Sequence, residues 1–458
     1  MTAPSSMRSA LALAAAIRAG QIDAVSTVQA VLDDIASRDG RYRACSQTFD
    51  VRALHDARRI DGLVRGGRDP GPLAGVPFLV KGNFDVAGYV TVAGSPVRCR
   101  RLPPGRQRRR DGRPTRRGRR DSGRRHAHGR ARLRRHRRES AFRRGAAPGR
   151  SVAHDGRLVE RVGRRGGGRH VPLALGSDTN GSIRAPAALC GVWGIRPGTQ
   201  RLSRTGCVPY ATTLDAVGGF ANDIDDLAAL YRALLGASPL PTQRSAHDPA
   251  APLRAAVLTG DFERHADTAA WQAVRHAAAG LHAADAIPID GAEAARVREA
   301  AVVVSNVELA RAHRALLDAP SACVSERLRT RIAAGAATPD AVYAQALACR
   351  AAWRTRIAAY FERYDILIAA TTPYAAPRFT DATVDVNGIA LEPAKSLGML
   401  TQPISFADLP VIAAPCFRPG ELPVGVQLIG APGDEAACFA AARRLASASR
   451  EAGHTNGI

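Results

Sequence analysis

The chain has 458 residues, 45% of them hydrophobic, eight cysteines and a formal net charge of +24. No apolar run approaches the roughly 20 residues of a membrane span, and the cysteines stand singly with no Cys-x-x-Cys pair, which argues against a zinc site or a disulfide scaffold and fits a reducing, cytoplasmic setting. Such a charge ordinarily points to nucleic acid, but 28 arginines and only 5 acidic residues lie between Arg98 and Arg169, so the surplus is local and the rest of the chain is close to neutral.

In chain order, Ala10 to Ile17 reads as an amphipathic first helix closed by Arg18, not as a signal peptide. Val25, Val28, Val31, Leu32 and Ile35 recur at helical spacing and stop at Asp39-Gly40. Val51 to Leu63 has the pattern of a second helix, and Arg65 to Pro72 is a Gly/Pro/Arg loop. Val76 to Val80 is a short buried strand that delivers Lys81, after which Asp85 to Gly88 turns away. From 98 to 169 no apolar period survives. Pro, Gly and Arg stand where core residues would, the composition of a disordered basic segment.

Order resumes at Val171. Asp225 to Leu235 is helical and Leu253 to Leu258 is a strand. Ala266 to Ala283, Ala292 to Leu317 and Ala341 to Glu362 are alanine-rich helices. Asp365 to Ala370 is a buried strand ending at Thr371-Thr372-Pro373. Pro410 to Ala414 and Val424 to Ile429 are strands, and Glu435 to Ala448 is a closing helix. Strands alternating with helices argue for an α/β layered fold.

The chemistry concentrates in Gly176-Ser177-Asp178-Thr179-Asn180-Gly181-Ser182-Ile183-Arg184-Ala185-Pro186, set between the apolar runs Val171 to Leu175 and Ala187 to Trp193. Gly181 lets the backbone approach a ligand closely. The N–H groups of Thr179, Asn180, Gly181 and Ser182 can converge on one hollow and face a developing oxyanion. Ser182 is then a nucleophile beside its own oxyanion hole. The short run Asn180-Gly181-Ser182 taken alone reads more simply as a turn between two buried strands. Amide cleavage also needs a base. Lys81, at the end of an apolar strand, is one of only two lysines in the chain, the other being Lys395. Burial favours the neutral form of a lysine, whereas an arginine stays protonated. Asp178 and Arg184 read as structural partners within the loop. No metal and no cofactor is expected.

The string from Gly176 to Pro186 resembles the nucleophile segment of the amidase signature family. Leu73 to Lys81 is similar to the strand carrying that family's catalytic lysine. Gly194 to Pro197, Arg201 to Arg204 and Leu214 to Gly218 fit as well. Gln402 to Phe406 onward to Pro415, and Pro423 to Ile429, look like the family's last strands. Asp385-Val386-Asn387-Gly388 and Thr401 to Phe406 look most like the carboxybiuret hydrolase type. The resemblance implies one amidase domain over 1–458, interrupted at 98–169, with a central mixed β-sheet covered by helices on both faces. It implies a Ser–Ser–Lys hydrolase of small amides or urea-like substrates that needs no cofactor. A second copy or a small accessory subunit would be a compatible partner. Neither a membrane nor nucleic acid is expected as one.

The resemblance also implies a bridging serine in a Gly/Ser-rich stretch, held by a cis peptide, and counting back from Ser182 reaches Leu158. No serine stands there. Asp155 to Gly163 can be written GAC GGG CGG CTC GTC GAG CGG GTC GGC with third positions chosen freely. Read from its second base this gives Thr-Gly-Gly-Ser-Ser-Ser-Gly-Ser, with the first serine at position 158. The arginine block thus reads as a frameshift in a GC-rich gene, which would leave the chain as written impaired. One rival is a non-catalytic protein that associates with RNA through an arginine arm. Against it, Phe142 is the block's only aromatic residue, so bases have little to stack on. A further alternative, the amidase component of a transfer-RNA amidotransferase, would require partner subunits.

Overall fold

The computed structural model describes residues 9–42, 44–89, 91, 93, 171–236, 253–319, 324–378, 380–418 and 420–451. The expectations for 98–169, including Leu158 and its cis peptide, lie outside the described residues. Three helices open the chain: α1 (Ala10–Arg18), α2 (Ala24–Tyr42) and α3 (Asp50–Arg65). The buried carboxylate of Asp61 accepts from the N–H groups of Ala24 (2.7 Å) and Val25 (3.2 Å), so α3 caps the free amides at the start of α2. Strand β1 is Phe78–Val80 and β2 is Leu173–Asp178. The turn after β2 leads into α4 (Arg184–Cys190), then β3 (Trp193–Arg196), β4 (Ala216–Ala221) and α5 (Ile224–Leu235). Asp226 of α5 reaches back across the sequence to cap α1, accepting from Ala10 N–H at 2.7 Å and Leu11 N–H at 2.9 Å.

The second half continues with β5 (Ala255–Gly260), α6 (Asp261–Arg264), α7 (Thr268–Gly280) and β6 (Asp285–Ile289). A helical layer follows: α8 (Gly291–His313), α9 (Glu326–Ala337) and α10 (Asp340–Tyr360). The chain returns through β7 (Ile366–Ala370), a hairpin of β8 (Val384–Val386) and β9 (Ile389–Leu391), and the short helices α11 (Pro393–Ser396) and α12 (Gln402–Phe406). Strands β10 (Val411–Pro415) and β11 (Gly425–Gly430) and helix α13 (Glu435–Glu451) complete it.

Nine strands form one mixed sheet in the order β1-β2-β4-β3-β10-β11-β7-β5-β6. The pairs β1/β2, β7/β5 and β5/β6 are parallel, and the central pairs are antiparallel. Val411, Ile412, Val426, Leu428 and Ile366 to Ile368 are buried, as central strands covered on both faces must be. The α/β architecture expected from sequence is therefore present.

Several local expectations are corrected. Gln402–Phe406 forms a helix where the resemblance pointed to a strand, because Pro403 at its first turn suits a helix start and Trp353 Nε1 donates to the Pro403 carbonyl at 2.8 Å. The apolar run from Ala187 begins inside α4, and the strand follows only after Gly191, whose φ of 67° ends the helix. Strand β1 is not fully buried, since Phe78 is 57% exposed. The helix expected over 266–283 is present but shorter, α7 at Thr268–Gly280, and β6, not expected from sequence, follows it with only alternate positions buried.

Helices α8 and α9 approach at Gly335, where an added Cβ would collide with the carbonyl oxygen of Asn306. Gly335→Ala must push the two helices apart. The expected cost is about 1–3 kcal/mol in urea unfolding, and an unchanged midpoint would show that the crossing yields without strain.

Candidate active site

Parallel pairing of β1 with β2 decides which side chains meet. The register sets Val80 opposite Leu175, and Lys81 N–H extends the ladder by donating to the Leu175 carbonyl at 3.0 Å. Lys81 and the turn carrying Ser182 therefore leave the same edge of the sheet, at the C-terminal ends of adjacent strands, where open α/β sheets hold ligands. The half-buried Lys81 ammonium donates to the Ser177 carbonyl (3.1 Å) and to Ser177 Oγ (3.3 Å). Asn83 Nδ2 donates to the same Oγ at 3.0 Å. Among the described residues, Lys81 makes no hydrogen bond to Ser182; Ser177 stands beside it instead.

Cys207 is also near, within 3.2 Å of Asn83 Nδ2. Burial, seconded by Asp215, pushes its thiol up to about 11. Its thiolate is therefore scarce at neutral pH, and Cys207 is a poor rival nucleophile.

The turn from 179 to 182 is built around Asp178, which is fully buried. Its carboxylate accepts from the N–H groups of Gly181 (2.7 Å), Ile183 (3.1 Å) and Arg184 (3.4 Å). Arg184 binds it in a two-pronged fashion, Nε to Oδ2 and Nη2 to Oδ1, both at 3.1 Å. Arg196, equally buried, lies 3.7 Å away. Burial alone would push the Asp178 carboxyl up, but Arg184, Arg196 and the Gly181 N–H together hold it well below the usual carboxylate range. Asp178 and Arg184 are thus an ion pair inside the loop.

Of the four amides proposed from sequence as oxyanion donors, Gly181 is withdrawn, since its N–H is directed at Asp178. For the N–H groups of Thr179, Asn180 and Ser182 the described residues supply no acceptor. Gly181 has φ of 119°, and a Cβ there would collide with Thr401 Oγ1. That hydroxyl shares its one proton between the Asn180 carbonyl at 2.8 Å and the Gly398 carbonyl at 3.0 Å. The peptide between Asn180 and Gly181 is therefore clamped at its oxygen by Thr401 and at its nitrogen by Asp178. Thr179 Oγ1 donates to Asp215 at 2.5 Å, and Asp215 also accepts from the N–H groups of Tyr210 and Ala211 at 2.7 and 3.1 Å. Ser182 itself is half-buried, and no described residue hydrogen-bonds its hydroxyl.

Sequence reasoning gives Ser177, Arg196, Asp215 and Thr401 no part of their own, although each lies inside a matching string, and it misses Asn83. Ser177, Arg196, Asp215 and Asn83 lie at or close to strand ends and Thr401 lies at a helix start, positions that acquire meaning only once the neighbouring elements are known. Among the described residues no group of three or more His, Cys, Asp or Glu side chains could hold a metal ion. Nor is any helix among them long and apolar enough to cross a membrane.

The family model described as Amidase matches residues 26–105 and 167–439. AtzE, a component of the 1-carboxybiuret hydrolase from Pseudomonas sp. (strain ADP), is 36% identical over 465 residues, spanning 94% of this chain and 96% of that protein. A glutamyl-tRNA(Gln) amidotransferase subunit from Moorella thermoacetica is 30% identical over 479 residues, spanning 92% of both. A solved structure of an s-triazine catabolic enzyme, described with a vestigial protein complex, superposes with a TM-score of 0.79 at 31% identity. It covers 98% of this chain and all of that one. The fold is shared with 6-aminohexanoate cyclic dimer hydrolase at a TM-score of 0.72 and 21% identity, covering 97% and 98% of the two chains.

The depressed Asp178 carboxyl carries a pH prediction. A group whose folded value lies below its unfolded value contributes stability that is present above about pH 4 to 5 and lost as pH falls toward the folded value. Asp178→Asn leaves the buried Arg184 guanidinium without a carboxylate and Arg196 with Asp408 alone, and should cost about 3–5 kcal/mol at neutral pH. Its stability should also fall less than that of the unaltered chain between about pH 5 and 2. Parallel stability-against-pH curves for the two proteins would show that the carboxylate does not hold the loop.

Proposed function

Because this chain belongs to the amidase family and is an amide C–N hydrolase, we propose that it cleaves a small amide or urea-like substrate by acyl transfer to Ser182, with Lys81 as the base. The observation carrying this reading is the Lys81 ammonium at hydrogen-bond distance from Ser177, on the strand that runs directly into the Ser182 turn. Ser182 Oγ attacks the carbonyl carbon as its proton passes toward Lys81 Nζ. The tetrahedral oxygen faces the N–H groups of Thr179, Asn180 and Ser182, which are fixed before the reaction begins. The proton then goes to the departing nitrogen, and water releases the acyl group from Ser182.

The urea-like substrate class is supported by 36% identity to a protein named for hydrolysing carboxybiuret. A partner chain is supported by the naming of both this relative and the amidotransferase relative as subunits. We further propose that the chain as written is impaired. The family match stops at residue 105 and resumes at 167, and the gap falls inside the arginine block. A leucine at position 158 gives a proton relay only hydrocarbon, and removing one member of such a unit costs nearly as much as removing all of it.

The test compares the chain as written with a version recoded to the shifted frame across 98–169. A fluorophosphonate probe followed by mass spectrometry should place the adduct on Ser182. In the recoded protein Lys81→Ala should lower the rate of amide hydrolysis by on the order of a hundredfold or more. The chain as written should be cleaved by protease within 98–169 and hydrolyse amides far more slowly than the recoded one. An adduct elsewhere with Ser182 free would overturn the nucleophile. Equal rates with protease resistance throughout 98–169 would overturn the impairment.

A further inference from the structure

We infer that Ser305, on α8, is a positioning residue for the oxyanion turn, acting through the side chain of Asn180. The inference rests on the reading of residues 179–182 as the oxyanion site. Ser305 is 3% exposed, and its Oγ donates to the Ala301 carbonyl one helical turn back at 2.7 Å. That bond uses the only proton the hydroxyl has. Its lone pairs can then only accept, and Asn180 Nδ2 donates to them at 3.1 Å. The amide orientation follows, because turning it over would set Asn180 Oδ1 against an oxygen with no proton to offer. Asn180 Oδ1 is left buried and unpartnered, so the Nδ2 bond is the side chain's one polar anchor among the described residues.

The carbonyl of the same residue is held from another direction by Thr401 Oγ1 at 2.8 Å. With side chain and carbonyl both restrained, the Asn180 N–H can swing little. It has no acceptor among the described residues and remains for a ligand. Helix α8 is a stiff support for this purpose. One turn after Ser305, Glu308 accepts from Thr213 N–H at 2.8 Å and Thr213 Oγ1 at 2.7 Å. This ties α8 to the loop whose Asp215 holds Thr179. One helix thus braces two consecutive residues of the turn, Asn180 directly and Thr179 through the loop.

The experiment uses the full chain recoded across 98–169 and four variants of it: Ser305→Ala, Ser305→Thr, Asn180→Ala and the double Ser305→Ala/Asn180→Ala. Two quantities are read. The first is hydrogen exchange of the segment 176–184, and the second is the rate constant for fluorophosphonate labelling of Ser182. Ser305→Ala should speed exchange in that segment while α10 and the central strands keep their protection. It should slow labelling about tenfold, the scale of one lost hydrogen bond at a buried group. Ser305→Thr, which retains the hydroxyl, should restore both. The double variant should label no more slowly than Asn180→Ala alone, since the serine then has nothing to hold.

Unchanged exchange in Ser305→Ala would overturn the inference. So would a loss that adds in full to that of Asn180→Ala, or a general loss of protection that Ser305→Thr does not repair. If Ser182 is not labelled in the recoded chain, the nucleophile reading falls, while exchange still decides whether Ser305 holds the turn.

Discussion

One buried carboxylate, that of Asp178, lies under everything else in this half of the molecule. It has no contact with water and faces two guanidinium groups, Arg184 and Arg196, that have none either. Desolvating three charges is costly, and only close pairing with further hydrogen bonds returns that cost. The structure supplies such bonds. Arg184 also reaches the Thr401 carbonyl at 3.0 Å, Gln427 Oε1 at 2.7 Å and the hydroxyl of Ser405. Arg196 reaches the carbonyls of Leu409 at 2.9 Å and Leu214 at 3.2 Å. Burial lowers the Arg196 pKa, with Arg184 beside it adding to the effect, while Asp178 and Asp408 work the other way. Any segment that drifts leaves a charge unpaired in a dry interior, so β2, α4, β3 and the α12 region are locked together.

The stiffness of the turn follows from that lock. Asp178 takes the Gly181 N–H, and Thr401, carried by the segment Arg184 holds, takes the Asn180 carbonyl. A peptide gripped at both ends cannot flip. The neighbouring amides consequently keep their direction, and a site that stabilises developing charge needs dipoles that do not have to reorient during the reaction. Glycine at 181 is required on two grounds, a positive φ and the closeness of Thr401.

A second constraint acts on Lys81. Its partner Ser177 is 96 residues away in sequence, and a parallel pair of strands brings the two together. Parallel pairing sets the ends of the two strands side by side, so Lys81, just past β1, meets Ser177, near the end of β2, without any local signal. The Asn83 and Cys207 contacts arise in the same way, where the chain after β1 meets the segment before β4.

The hairpin at Asn387-Gly388 is legible as a string, and its geometry is local. Both residues take positive φ, 52° and 81°, the conformation a two-residue hairpin turn demands. The resemblance sets Gln402–Phe406 among the last strands, whereas Pro403 at the first turn and packing against α10 make it a short helix. The sequence by itself determined the α/β alternation, the family, and the glycine-rich turn that carries Ser182, since periodicity and local backbone freedom are written in neighbouring residues. Tertiary structure alone decided that Lys81 meets Ser177 and that Ser305 and Thr401 grip Asn180. Each of those contacts joins atoms whose proximity depends on strand order and helix placement. Long-range burial of charge and apolar surface sets that order, and no short window of sequence contains it.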